Sequence, residues 1–407
     1  MNGDNLYRNE IDDVFWVPSM LQRIPLNPKI LEWARVSRNL QIPEVAERMK
    51  KAPAVIEEWE NGRTSPTYVQ LEKLAYEVYK RPLAVFFFPA PPKEISPRNS
   101  FRTLPESELE ELSPRFLLLF RQSQVMQANL EELNDGVNPA RRKIFKDMSF
   151  NPSDKVQSIA QAVRQYLGIS LAAQVRWRDA DTAFKEWRKC VEAHGVFVFK
   201  DAFRQDDISG FCLYHDEFPV IYINNSMPFT RQIFTLFHEL THLLLRTSGI
   251  DKENDTFLRR IRGNNRKIEV LCNRFVGEFL VPSNDFAESL SGADVDPEII
   301  RMLADRYKVS QEVILRKFLD RALISQEYYE QKSKEAIEAA RGRRASARRG
   351  NYYFDKVAYL GENYLSLVFR RYYQNKFPVQ QLAEYLNVKV SHVPDLEAVF
   401  LARGTAK

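Results

Sequence analysis

The residues best equipped for chemistry in this chain of 407 lie in one run, Phe234-Thr-Leu-Phe-His238-Glu239-Leu-Thr-His242-Leu-Leu-Leu245. The run is apolar apart from two histidines, a glutamate and two threonines, a pattern that predicts a buried helix. At about 100° per residue, His238 and His242 stand four apart on one face, so both imidazoles can reach one metal ion while Glu239 flanks it. Two imidazoles and a carboxylate suit Zn²⁺, which keeps a fourth position for water and lowers its pKa; a further carboxylate can then take the proton. The spacing predicts one zinc ion per chain and water activation, provided that a third ligand exists.

Beyond the motif, residues 248–266 read as a polar loop holding Asp251, Glu253 and Asp255, and a new helix is expected over 268–281, ended by Pro282. That helix carries two carboxylates, Glu269 and Glu278. Nine residues apart, they fall on opposite faces, so only one can meet the histidines. Glu269 interrupts an apolar stretch of Ile268, Val270 and Leu271, whereas Glu278 can face solvent; Glu269 is the expected third ligand. Asn273 shares the face of Glu269 and is placed to orient a ligand by a hydrogen bond.

The elements that must position these groups are legible more coarsely. Helices are expected over 114–133, 152–166 and 179–194, and β-rich pieces over 195–199, 208–214 and 219–223. A small sheet directly before such a helix is, by analogy of fold, the arrangement of zinc peptidases, in which an edge strand aligns an extended peptide above the metal. The length exceeds one ordinary core and predicts two or three domains. Apolar residues at 44% and charged residues at 28% mark a globular chain, and its apolar runs are too short for a membrane span. The first fifteen residues lack an export signal, and Cys190, Cys212 and Cys272 show no paired spacing, so a reducing cytoplasm is expected and no membrane partner. The net charge of +5 is local: between Lys332 and Arg349 seven Lys or Arg stand against two Glu, and the rest of the chain sums to zero.

Residues 27–92 predict short helices over 30–40, 43–50, 53–61, 68–80 and 83–88, with Pro43 and Pro53 in first turns, Gly62 as a stop and Thr67 as a cap. The stretch resembles the five-helix helix-turn-helix domain of Xre/Cro-type regulators, through Val45-Ala-Glu-Arg-Met49, Ile56-Glu-Glu-Trp-Glu-Asn-Gly-Arg63, Pro66 and Leu71-Glu-Lys-Leu-Ala75. The resemblance implies that the third helix enters the major groove. Its exposed positions Ala54, Glu57 and Glu58, with Arg63 beyond, are the candidate DNA or partner contacts; two glutamates facing a polyanion oppose base readout. DNA binding and a protein-interaction role stand level on these residues.

The segment from about 150 to 325 is similar to the ImmA/IrrE family of zinc metallopeptidases, through the motif run and Glu269-Val-Leu-Cys-Asn273-Arg-Phe-Val-Gly-Glu-Phe-Leu-Val-Pro282. With the helix-turn-helix domain in front, the resemblance spans about 27–325. It implies His238, His242 and Glu269 as zinc ligands, Glu239 as catalytic base, and peptide-bond hydrolysis as the reaction. Tyr222 and His215 are candidates for stabilising the oxyanion, each read first as structural, as are His194 and His392. The helix pair 299–307 and 310–323 is expected to be peptidase scaffold.

The expected fold is α+β and mostly helical: an extension 1–26, the helix-turn-helix domain 27–92, a helical connector 93–150, a zincin-like metallopeptidase domain with a small sheet over 151–325, a basic linker 326–350 and a helical module 351–407. The function expected is a cytoplasmic zinc endopeptidase that cleaves or controls a repressor-like regulatory protein in a stress, phage or toxin–antitoxin circuit. The alternative is a DNA-binding regulator or antitoxin whose zinc domain senses or scaffolds. The expected partner is a protein, repressor or toxin, with DNA a further candidate through the helix-turn-helix domain or the linker; a dimer is an admissible assembly.

Overall fold

The computed structural model describes residues 26–92, 97–101, 105–252, 261, 263–290, 295–344 and 351–404. The extension over 1–25 lies outside them, as do Arg348 and Arg349. The chain divides into two compact units, one ending at Glu94 and the other beginning at Ile95. No described helix is long and apolar enough to cross a membrane.

Local signals build the first unit. Helix α1 (Pro28–Val36) is capped by Asn27, whose side chain accepts the amide of Lys29, and Pro28 stands in its first turn. Helix α2 (Ile42–Met49) ends at Lys50 with φ 54°, and α3 (Pro53–Glu60) again starts on a proline. Helix α4 (Tyr68–Lys73) opens on a Thr67–Gln70 capping box and continues as a π-helical segment, Leu74–Tyr79, before a 3-10 turn, Leu83–Phe87. All five expected helical segments are present. Ile30, Val45, Ile56, Trp59 and Leu71 meet in one core, and Arg35 of α1 holds the Glu60 carboxylate of α3 at 2.8 and 2.9 Å.

The second unit begins with α5 (Pro114–Leu133), α6 (Val156–Leu167) and α7 (Ala180–Ala193), the first and third capped by Ser113 and Asp179, the second stopped by Gly168. Strands β1 (Phe197–Asp201), β2 (Ile208–Leu213) and β3 (Val220–Asn224) follow, then α8 (Phe229–Leu244), β4 (Gly249–Lys252) and α9 (Gly263–Leu280). The sheet order is β1-β3-β2-β4; β1 runs parallel to β3, and β2 is antiparallel to both β3 and β4, which leaves β4 at an edge.

Side chains alternate across this sheet. Val198, Cys212 and Ile221 join a core with Leu236, Phe237 and Leu240 of α8 and Phe275 and Phe279 of α9. Their neighbours Phe199, Phe211 and Tyr222 pack on the other face against Phe116 and Phe120 of α5. Phe211 lies 5.2 Å from Phe116 and stacks on Tyr222 at 5.2 Å, and burying one such ring contributes roughly 2–3 kcal/mol. Both faces being covered, the strands carry continuous apolar runs.

Helices α10 (Pro297–Tyr307) and α11 (Gln311–Asp320) send Leu303, Ile314 and Phe318 into the core beneath α8, the scaffold role expected of them. Helix α12 (Gln326–Arg344) occupies most of the segment expected as a basic linker. Helices α13 (Tyr352–Leu360), α14 (Glu362–Tyr373), α15 (Val379–Leu386) and α16 (Val393–Gly404) complete the chain; Tyr364, Val368 and Leu386 share the second-face core with α5.

Two elements depart from expectation. Strand β1 starts at Phe197 because Gly195 turns the chain at φ 87°. Strand β4 lies inside the expected polar loop: its four residues become a strand only through pairing with β2, a long-range cause.

Candidate metal centre

Helix α8 holds its functional side chains on the buried face: His238 is 2% exposed, and Glu239 and His242 are 0%. Helix α9 crosses it and brings Glu269, 2% exposed, to the same point. The imidazole Nε2 atoms stand 3.2 Å apart, and the Glu269 oxygens lie 3.3 Å from His238 and 3.4 Å from His242. A tetrahedral ion about 2.0–2.1 Å from each N or O ligand separates those atoms by roughly 3.3–3.4 Å. The three side chains are already spaced for such an ion.

Hydrogen bonds behind the rings fix which nitrogen faces inward. The Nδ1 of His238 donates to Asn273 Oδ1 at 3.0 Å. The Nδ1 of His242 meets Thr247 Oγ1 at 3.3 Å, and that hydroxyl already donates to the His242 carbonyl, so it accepts from the ring. Both Nε2 lone pairs are thereby directed to the centre, and the role expected of Asn273 matches its place. Glu269 Oε1 and both oxygens of Glu239 are buried without a hydrogen-bond partner. Unmatched buried carboxylate oxygens are unfavourable unless a cation or its solvent meets them, so the residues fit a metal.

The electrostatics follow from burial. Burial raises the Glu239 carboxyl to about 8, with Asp251 and Glu269 adding to the rise and His242 and Cys212 opposing it. Burial also acts to raise Glu269, but the neighbouring His242 and His238 rings outweigh it and hold this carboxyl at about 2. Burial opposes charge on His238, yet the carboxylates of Asp251 and Glu269 leave it raised. The two carboxyls are thus driven in opposite directions, one toward a ligand and one toward a proton carrier.

Cys272 belongs to the same cluster: its Sγ and the nitrogens of His238 and His242 lie within 4.8 Å of one another. Burial, then Glu269 and Glu239, push its thiol well above the ordinary value in the metal-free protein. Composition offered no sign of this proximity.

Four further residues build the site. Asp251, 2% exposed on β4, accepts from Thr235 Oγ1 and from Arg231, each at 2.7 Å, which ties the edge strand to α8. A Cβ on Gly249 would stand 2.4 Å from the His242 ring, so β4 runs directly against a metal-site histidine and only glycine fits there. The Asp251 carboxylate was visible in the sequence, but its strand was not.

Other candidates fall elsewhere. Glu278, expected to face solvent, is half-buried and bound to Lys317 at 2.7 Å and to Ser283. Tyr222 lies on the sheet face away from α8, and His215 Nδ1 accepts the amides of Glu217 and Phe218. His194 Nδ1 is bonded to the Cys190 carbonyl, and the His392 ring packs against Tyr352 and Tyr353. On α3, Ala54 and Glu57 are exposed, as is Arg63 beyond it, while Glu58 is partly covered and accepts from the Thr64 hydroxyl at 3.4 Å.

This geometry defines a metallopeptidase-like centre in a chain that begins with a helix-turn-helix unit. Comparison with protein families gives the same order: residues 31–75 match the helix-turn-helix model, and residues 191–319 match the M78 peptidase model, described as the IrrE N-terminal-like domain. The chain therefore carries an Xre-type helix-turn-helix domain followed by an IrrE/ImmA-like domain. A search of curated proteins finds no match.

Proposed function

We propose that the chain is a zinc-dependent endopeptidase that cleaves a repressor-like regulatory protein in a stress, phage or toxin–antitoxin circuit, with His238, His242 and Glu269 as ligands and Glu239 as general base. The observation that carries this reading is the Glu239 carboxyl: fully buried, unpartnered at both oxygens, and next in the chain to His238, whose Nε2 stands 3.2 Å from that of His242 and 3.3 Å from a Glu269 oxygen. Zinc bound there supplies Lewis-acid activation of water and of a carbonyl.

The chain's own residues do the rest. The terminal strand of the sheet, β4, aligns an extended peptide beside His242. Asn273 and Thr247 hold the imidazoles in the metal-binding tautomer. Glu239 takes a proton from the attacking water as oxygen bonds to the carbonyl carbon, then delivers it to the amine nitrogen as the C–N bond breaks.

For the first unit, the exposed Glu57 opposes base readout without identifying a partner, and a DNA-binding regulator with a sensing zinc domain is the competing proposal. Mixing the zinc-loaded chain with extract of its host separates them: new N-termini should form with wild type and not with Glu239→Gln. The peptidase reading fails if both proteins leave the same termini.

A further inference from the structure

We propose that the cleft beside the metal centre selects an acidic peptide segment, with Arg274 and Arg321 contacting its carboxylates; this deepens the peptidase reading and rests on it. The cleft encloses about 640 Å³, within the range of sites that hold several side chains. One end is formed by Phe234, whose ring lies 6.2 Å from that of His238, and by Asn273, which accepts from the same histidine. From there it follows α9 past Arg274 to the first turns of α11, so it neighbours the metal site through Phe234 and Asn273, while the ligand side chains themselves lie behind its wall.

Its charge is uneven. Six lining side chains are cationic and three are acidic. Four of the cations are already met: Arg231 by Asp251, Lys252 by Glu108, Lys317 by Glu278 and Arg316 by Asp320. Arg274 is exposed and has no partner among the described residues. Arg321 donates to the Ser283 carbonyl and lies 5.5 Å over the Phe286 ring, and no carboxylate among the described residues pairs with it. The third acid, Glu312, stands in the first turn of α11 and does not offset both.

A guanidinium in a concave wall binds carboxylates in bidentate fashion. The wall between them carries Val270 and Val313, which suits side-chain methylenes rather than a hydrated backbone. Lys252, the last residue of β4, also lines the cleft, so a peptide paired on that edge is led into it. A nucleic acid needs a row of free cations along its phosphates, and here the other cations are matched.

The test uses the full chain with Glu239→Gln and one zinc, and three labelled probes: a peptide with a Glu-rich half, its Gln-substituted copy and a single-stranded oligonucleotide. Fluorescence polarisation at low salt should show the Glu peptide binding about tenfold tighter than the Gln copy, and added salt should narrow the gap. Arg274→Glu with Arg321→Glu should abolish the preference at unchanged zinc content; Arg274→Glu alone, which disturbs no described contact, should weaken it and serves if the double variant does not fold. Equal binding of the two peptides, a preference that survives both substitutions, or tighter binding of the oligonucleotide overturns the proposal. Preferential binding without cleavage by the wild-type protein sinks the peptidase reading alone, and cleavage indifferent to peptide charge sinks the acidic preference alone.

Discussion

The metal centre and the exposed face of α3 make opposite statements with similar residues. Glu239 and Glu269 are buried among apolar side chains with oxygens unmatched, a state that a folded protein tolerates only where something else is to be bound. Glu57 stands in water on α3, where a charge has no desolvation penalty and so reveals no ligand. Buried polarity without a partner is informative, and exposed polarity is not. The first region therefore supports a mechanism, and the second supports only a choice between partners.

Four measurements would break or sharpen that contrast. Largest is Glu239→Gln, expected to lower cleavage by 10²- to 10⁴-fold while one zinc per chain is retained, checked by kinetics beside metal analysis. Next comes the stability of the metal-free protein. The Glu239 carboxyl is raised in the fold, so its contribution is most favourable below the unfolded value of 4.5 and is lost as pH rises toward about 8. Metal-free Glu239→Gln should therefore exceed metal-free wild type by up to about 5 kcal/mol near pH 8 and by little at pH 4, as read from denaturant melts. Equal curves at both pH values would mean that Glu239 is not held as described.

A smaller effect is expected at Asn273. Its change to Ala frees the His238 ring and should weaken zinc about 10- to 100-fold in a competitive chelator titration. The smallest lies in the other region: Glu57→Lys on α3 removes a repulsive charge and should raise nonspecific DNA affinity severalfold at low salt without changing cleavage. No gain in a shift assay would leave α3 as a surface for a protein.

The sequence made the centre legible where local rules suffice. The four-residue spacing of His238 and His242, and a carboxylate set into an apolar helix at Glu269, follow from helical period alone. Long-range contacts were not legible. Lys317 meets Glu278 across 39 positions, so a half-buried ion pair read as a solvent-facing acid. Strand β4 exists through its pairing with β2, and Cys272 enters the metal cluster through the crossing of α8 and α9. The connector and C-terminal helices read as separate modules, yet both contribute to the core over the second sheet face, a role hinted at only by the continuous apolar strands.

The central claim is that His238, His242 and Glu269 hold one zinc ion and that Cys272 does not. X-ray absorption of the zinc-loaded protein tests it most directly. The account predicts one zinc per chain with a first shell of nitrogen and oxygen at about 2.0–2.1 Å, unchanged in Cys272→Ala and lost in Glu269→Ala. A sulfur scatterer at about 2.3 Å, or undiminished zinc in Glu269→Ala, would contradict it.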